Sequence, residues 1–286
     1  MHRKSSVLFL HVAVLLFGFA GVISRFVSLP SVLVTFYRVL FASSSLLILS
    51  LARREKLRLH RRSDYFLLFA AGAVMAVHWT SFIQSIQVSS VAIGTITFST
   101  FPLFATFLEP LVYREKLRAF DVATALVMVG GVLVTIPEFS IQNQMTAGIA
   151  WGMLSSLSYA VLSLMIRRFA GQYSGRVICL YEQGSAVLLL LPAPFLVHAS
   201  YTVSDWGALL FMGVVCTALA HTLYVGSLKN VRVQTASVIS GMETVYGILL
   251  AFLLLHEAPS GREVLGGAII IAAAMASTFA KNRQKP

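Results

Sequence analysis

The chain has 286 residues, of which 57% are hydrophobic and only 12% charged, with a mean hydropathy of +0.82. A soluble domain carries about twice that share of charge, so this composition excludes one and assigns most of the chain to lipid. The net charge of +11 does not indicate nucleic acid, because the basic residues are spread over loops between apolar segments rather than gathered on one folded surface.

Ten stretches are long and apolar enough to cross a ~30 Å hydrocarbon layer as helices, which predicts an all-α polytopic membrane protein. The first, near 6–24, follows Arg3 and Lys4; no small-residue cleavage site follows it, so it reads as a retained helix rather than a signal peptide. The second, near 31–52, carries Arg38 about seven residues in, which is ~10 Å deep at 1.5 Å per residue. Its helical neighbours Ser31, Thr35, Ala42 and Ser45 are small or polar, so that face is expected to point into the bundle.

The third segment, 64–85, brings His78, Trp79 and Phe82. The fourth, 90–112, carries Phe98 and Phe101 behind Gly94 and Thr97, then Pro102 and Glu109, and the fifth covers 119–136. A connecting loop at 137–144 separates a first five-helix repeat, 1–136, from a second, 145–286; together they form one membrane domain. In the second repeat, segment six (145–166) presents Gly152, Ser155, Ser156, Tyr159 and Ser163 on one stripe, and segment seven (177–197) carries Tyr181 and Glu182. Segment eight (205–227) carries His221 and Tyr224, segment nine (233–255) carries Glu243 and Tyr246, and segment ten spans 263–280.

Displacing the first half by 142 residues sets Arg25 on Arg167, Phe82 on Tyr224 and Arg114-Glu115 on His256-Glu257. Because each half holds an odd number of crossings, the second enters the bilayer from the opposite side, which is the inverted repeat of secondary transporters. Charge follows the same alternation. Of the 22 Lys and Arg residues, 19 fall in alternate loops or at the termini, the 53–62 loop alone holding six; only Arg25 and Arg262 lie in the opposite loops, with Arg38 inside a helix. Both termini are therefore expected on the cytoplasmic side, in what is expected to be a bacterial cytoplasmic membrane.

A charge at a helix centre in lipid costs at least ~2.5–3.5 kcal/mol unless it is paired or hydrated, which singles out Arg38, Glu182 and Glu243. Glu243 lies about ten residues into segment nine, ~15 Å deep, where a carboxyl is suited to loading and releasing a proton. Glu182 is the counterpart of Arg38 in the other half; with His78 and His221 it completes the proton-coupling candidates. Local satisfaction by hydroxyl or backbone groups is the alternative for each. Arg38 and Glu243 with Trp79, Phe82, Phe98, Phe101, Tyr159, Tyr181, Tyr224 and Tyr246 form the expected substrate site, a surface suited to a mixed polar and apolar molecule and also to plain helix packing.

Cys179 and Cys216 fall within helices and read as buried thiols. No P-loop, dinucleotide fingerprint, HExxH or paired-cysteine spacing occurs, so no cofactor or metal is expected and any energy must come from a gradient.

Phe36-Tyr37-Arg38, Pro102-Leu103-Phe104 with Arg114-Glu115-Lys116-Leu117, and Glu243-Thr244-Val245-Tyr246 with His256-Glu257-Ala258-Pro259 resemble the drug/metabolite transporter superfamily in its EamA-like branch of ten-helix carriers. Thr244 departs from the pattern, standing where the repeat and the family lead to proline, so a kink in segment nine matching that at Pro102 is not expected to follow. The resemblance implies alternating access between the two halves. The expected cargo is a small amino-acid-like or other polar metabolite, moved outward with protons as a coupling ion. Efflux of amphipathic cationic drugs is the alternative, with Arg38 then structural; an intramembrane enzyme is the remote one, since no nucleophile, base and orienting group share a motif. Small molecules, lipid and protons are the partners; nucleic acid is not.

Overall fold

The computed structural model describes residues 3–114, 117, 119–136, 142–169, 171–228 and 233–282. Glu115 and most of the 137–144 connecting loop lie outside these residues, as do basic residues Lys116, Arg118, Lys229, Arg232, Arg283 and Lys285.

Every regular element among the described residues is helical: α1 (Arg3–Ile23), α2 (Ser31–Ala52), α3 (Arg62–Val88), α4 (Val91–Phe98), α5 (Phe101–Tyr113), α6 (Ala119–Thr135), α7 (Gln144–Arg167), α8 (Gly175–Leu190), a single turn α9 (Ala193–Leu196), α10 (Val203–Gly213), a π-helical stretch (Val214–Leu219), α11 (Ala220–Leu228), α12 (Val233–Leu255) and α13 (Gly261–Asn282). Among the described residues seven stretches are long and apolar enough to cross a membrane, 5–23, 31–52, 62–88, 91–113, 144–167, 175–196 and 203–224, and Ala119–Thr135 and Ile239–Leu255 are shorter apolar helices. Phe66, Leu111, Ile48 and Phe195 stand 68–78% exposed, as side chains do when lipid rather than water surrounds them. The protein is an integral membrane protein.

Three predicted segments are not uniform helices. The stretch 90–112 breaks at Ser99–Thr100 into α4 and α5, because Pro102 brings no N–H to the ladder and disfavours helical geometry just before it, while it fits the first turn of a new helix. Hydroxyls take up carbonyls at the break: Ser99 Oγ donates to Thr95 O at 3.0 Å and Thr100 Oγ1 to Thr97 O at 2.6 Å. The stretch 177–197 ends α8 at Leu190 ahead of Pro192, and 205–227 loosens into the π-helical stretch midway. By contrast α12 runs unbroken through Thr244. That residue is buried, and its Oγ1 lies 2.6 Å from Ser99 Oγ, so the continuous helix is fastened to the broken one at the break.

Helices of one half lean on the other. α1 packs on α11 and α12, and α7 packs on α3, α4 and α5; α10 packs on α2, and α3 on α8; α2 meets α8, α4 meets α12, and α6 meets α13. Arg114 and His256, 142 residues apart, end α5 and α12 in the same left-handed conformation, with φ of 55° and 57°. Small residues set the close crossings. A Cβ at Gly18 of α1 would stand 2.9 Å from Glu243 O and 2.9 Å from Gly247 N of α12, so the two backbones touch beside the acid.

Gly18→Val is therefore expected to force α1 off α12 and destabilise the fold by roughly 1–3 kcal/mol. Thermal unfolding in detergent reads the effect against Gly130→Val, whose added carbon meets nothing within 4 Å; equal midpoints for the two variants would contradict the close crossing.

Candidate functional site

Arg38 anchors the interior. It is 5% exposed, its Nε donates to Thr217 Oγ1 at 2.9 Å, and its guanidinium carbon stands 3.9 Å from the centroid of the Trp79 ring, a cation–π contact. Thr217 lies in the π-helical stretch, where the wider turn sends its Oγ1 to Met212 O at 2.9 Å and leaves the oxygen's lone pair for Arg38. Among the described residues, the two terminal nitrogens of Arg38 make no hydrogen bond, so the fork that binds carboxylates two-handedly is unengaged.

His221, one turn after Thr217, sets its Nδ1 3.0 Å from Thr217 O and packs between Phe17 at 4.9 Å and Trp79 at 6.5 Å, centroid to centroid. Tyr224, a turn further, lies 5.9 Å from Phe17 and shares a 2.9 Å hydrogen bond with Ser240. Glu243 is the next member on α12. Its carboxyl makes no hydrogen bond or close ion pair among the described residues, yet it lies within electrostatic range of Arg38, Tyr159 and Tyr224.

A second wall is aromatic. His78 places Nδ1 2.9 Å from Ser155 Oγ and 3.0 Å from Ser155 O, and its ring packs on Phe98 (5.3 Å), Tyr159 (5.1 Å) and Phe82 (6.4 Å). Phe98 and Phe101 stack at 5.9 Å and both meet the edge of Tyr159. Phe98, Phe101 and Tyr159 are half-buried. The α4–α5 break puts Phe98 and Phe101 on this wall from two different helices.

One expected member stands elsewhere. Tyr181 donates its hydroxyl to Leu57 O at 3.0 Å and packs on Tyr65 at 5.5 Å, so it fastens the α2–α3 loop. Tyr246 bonds His11 Nδ1 at 2.8 Å and belongs to the α1–α12 cluster that also holds Phe17 and Tyr224. Glu182 is 1% exposed on α8, and among the described residues its Oε1 finds no hydrogen-bond partner; neither does either amide atom of Gln183 beside it. Gln183 and Ser99 were not singled out from sequence; Ser155 stood out only as part of a small-residue stripe and Thr244 only as a departure from proline, and the i, i+4 spacing of Thr217 and His221 hinted at a shared site.

One end of this interior is tied shut. Arg25 Nε meets Glu257 Oε1 at 3.0 Å, its Nη1 reaches Ile86 O and Gln87 O, and Val91 N donates to Glu257 Oε2 at 3.2 Å. Ser28 N donates to Asp205 at 3.0 Å and Ser90 Oγ to Glu263 at 3.3 Å, so the α1–α2, α3–α4 and α12–α13 connections and the start of α10 interlock there. At the same end α4 lies on α12, whereas toward the other end α5 turns to α6 and α7. Among the described residues no three His, Cys, Asp or Glu side chains lie close enough to hold a metal ion.

The model of the EamA-like transporter family matches residues 4–136 and again 146–279. The chain belongs to the EamA-like transporter family. This EamA-like protein is 24% identical to the uncharacterized transporter YxxF of Bacillus subtilis, over 99% of its own length and 92% of the relative's. It is 21% identical to the biotin transporter of Escherichia coli, over 61% of this chain and 60% of that one. A solved crystal structure superposes with a TM-score of 0.67 over the full length of both chains at 20% identity, which speaks for the fold alone. An EamA-like protein is a membrane transporter of the drug/metabolite superfamily and not an enzyme, so the intramembrane-enzyme alternative falls away.

Proposed function

We propose that this transporter exports a small carboxylate-bearing, amino-acid-like metabolite by alternating access between two inverted five-helix repeats, with Glu243 as the site of the coupling proton. The observation that carries the reading is Arg38: a buried, oriented guanidinium whose terminal nitrogens make no hydrogen bond among the described residues, in what this reading takes as an aromatic-walled substrate chamber. The desolvation of such a group is offset when a carboxylate arrives and takes both nitrogens. Glu243, in the same chamber and within range of Arg38, either accepts the amine of the cargo or holds a proton that the cargo displaces. Buried and unpartnered, Glu182 is the second candidate for carrying a proton.

Ten crossings are supported by the exchange symmetry of the helix contacts, the matched left-handed residues Arg114 and His256, and the double match of the family model. On this reading the Arg25–Glu257 end faces out and is closed, and the chamber faces the cytoplasm where the 53–62 loop lies. Flux into proteoliposomes is the direct test. Amino acids, biotin (the cargo named for the E. coli relative) and their methyl esters are offered in parallel; the acids are expected to move and the esters not. Movement of esters and acids alike, or of cationic amphiphiles only, would overturn the carboxylate reading.

The topology carries its own prediction. Reporters placed in the 53–62 loop and after Lys285 are expected to register the cytoplasm, and one in the 137–144 loop the opposite side. A C-terminus found outside requires an odd number of crossings and removes the paired-repeat model.

A further inference from the structure

We propose that the basic loop between α2 and α3 is a binding site for the headgroup of an anionic phospholipid. Arg53, Arg54, Lys56, Arg58, Arg61 and Arg62 are all exposed there. None of their side chains makes a hydrogen bond or ion pair among the described residues, and the loop's one acid, Glu55, is already paired with Arg176. Six uncompensated cations on ten residues would repel one another and unravel a free loop, yet this one is fastened along its length. Tyr181 donates to Leu57 O, Leu59 N donates to Tyr65 Oη at 3.0 Å, and His60 N donates to Tyr173 Oη at 2.8 Å. Leu59 itself is 3% exposed against Leu68, Phe169 and Val177. The cations are thus held in place before any ligand arrives, which lowers the ordering cost of binding one.

Between this loop and the α7–α8 turn lies a groove of about 790 Å³. Lys56 and Arg58 supply charge to it, and His60, Gln172 and Ser174 supply polar groups suited to a phosphodiester and its hydroxyls. A lipid source is favoured over a free ion by what flanks the loop. Ile48 and Leu51 at the end of α2 are 68% and 60% exposed, and Phe66 at the start of α3 is 73% exposed, so apolar surface for acyl chains begins where the charge ends. Basic segments next to a membrane-spanning helix are drawn to anionic lipid in this manner. The loop also joins α2 and α3 to α8 through the tyrosines and the Glu55–Arg176 pair, so an occupied groove would brace the ends of three helices.

The test uses the purified full chain in detergent, titrated with phosphatidylglycerol, phosphatidylcholine or sodium phosphate, reading retained lipid by native mass spectrometry and the thermal midpoint. The wild type is expected to retain phosphatidylglycerol over phosphatidylcholine and to be stabilised by it. The double variant Lys56→Gln/Arg58→Gln is expected to lose roughly tenfold or more in phosphatidylglycerol affinity at an unchanged lipid-free midpoint. Arg114→Gln, an exposed cation at the end of α5 in the next connection on the same side and outside the groove, should keep wild-type affinity. If the double variant folds poorly, Lys56→Gln alone gives the same comparison with half the charge change. Unaltered phosphatidylglycerol retention in the glutamine variants, equal retention of both lipids by the wild type, or a full thermal shift from phosphate alone would each overturn the lipid site.

Discussion

Arg38→Ala is expected to lower the affinity for a carboxylate cargo by about two orders of magnitude, because removing one member of a buried charge pair costs roughly 2–5 kcal/mol. Arg38→Lys keeps the charge but not the planar fork, and its long stem loses the stacked contact with Trp79, so a drop of about tenfold is expected. Methyl esters separate recognition from folding. If the guanidinium reads the carboxylate, acids distinguish wild type from variant and esters do not. Arg38 also holds Thr217 across the α2–π-helix contact, so each variant needs a thermal midpoint beside its binding isotherm. Undiminished affinity for the acid in a stable Arg38→Ala protein would end the recognition role and move preference to amphipathic cations, for which Glu243 and the Phe98–Phe101–Tyr159 wall suffice.

Glu243→Gln is the second large effect. Glutamine keeps the volume of the side chain but cannot exchange a proton, and Glu243 makes no hydrogen bond among the described residues that the change would break. Folding should therefore survive, with the thermal midpoint close to wild type. Transport driven by a pH gradient is expected to fall by at least tenfold, while exchange of labelled for unlabelled cargo at equal pH continues, since exchange needs no net proton movement. In the wild type, raising the pH on both sides should slow driven transport as the acid ceases to reload; in the variant that pH dependence should disappear. Driven flux with wild-type rate and wild-type pH profile in Glu243→Gln would remove the coupling role and direct the same experiment to Glu182→Gln.

Much of the interior was legible without coordinates, for identifiable reasons. Arg38 sits on a helix face of Ser31, Thr35 and Ala42, and such a face can only turn inward in a bilayer; all four are buried. Phe98, Phe101 and Tyr159 meet because the residues around them, Thr97 and Ser155 among others, are small enough for α4, α5 and α7 to approach. The exchange of proline for Thr244 foretold an unkinked α12, since a threonine keeps the N–H that the helix ladder needs.

Hydropathy and spacing by themselves determined the all-helical membrane class and the short list of charged interior residues, because lipid penalises each unpaired polar group whatever its neighbours; the family rested on the resemblance of the end motifs. Only the tertiary structure decided which of those residues share a site. Tyr181 lies on an interior-looking face yet went to Leu57, and the π-helical stretch that presents Thr217 to Arg38 leaves no mark in the apolar pattern. A helical repeat fixes the face a side chain occupies on its own helix; the partner it meets depends on where another helix crosses, and that is set by the close contacts of residues such as Gly18 and Gly247, far away in sequence.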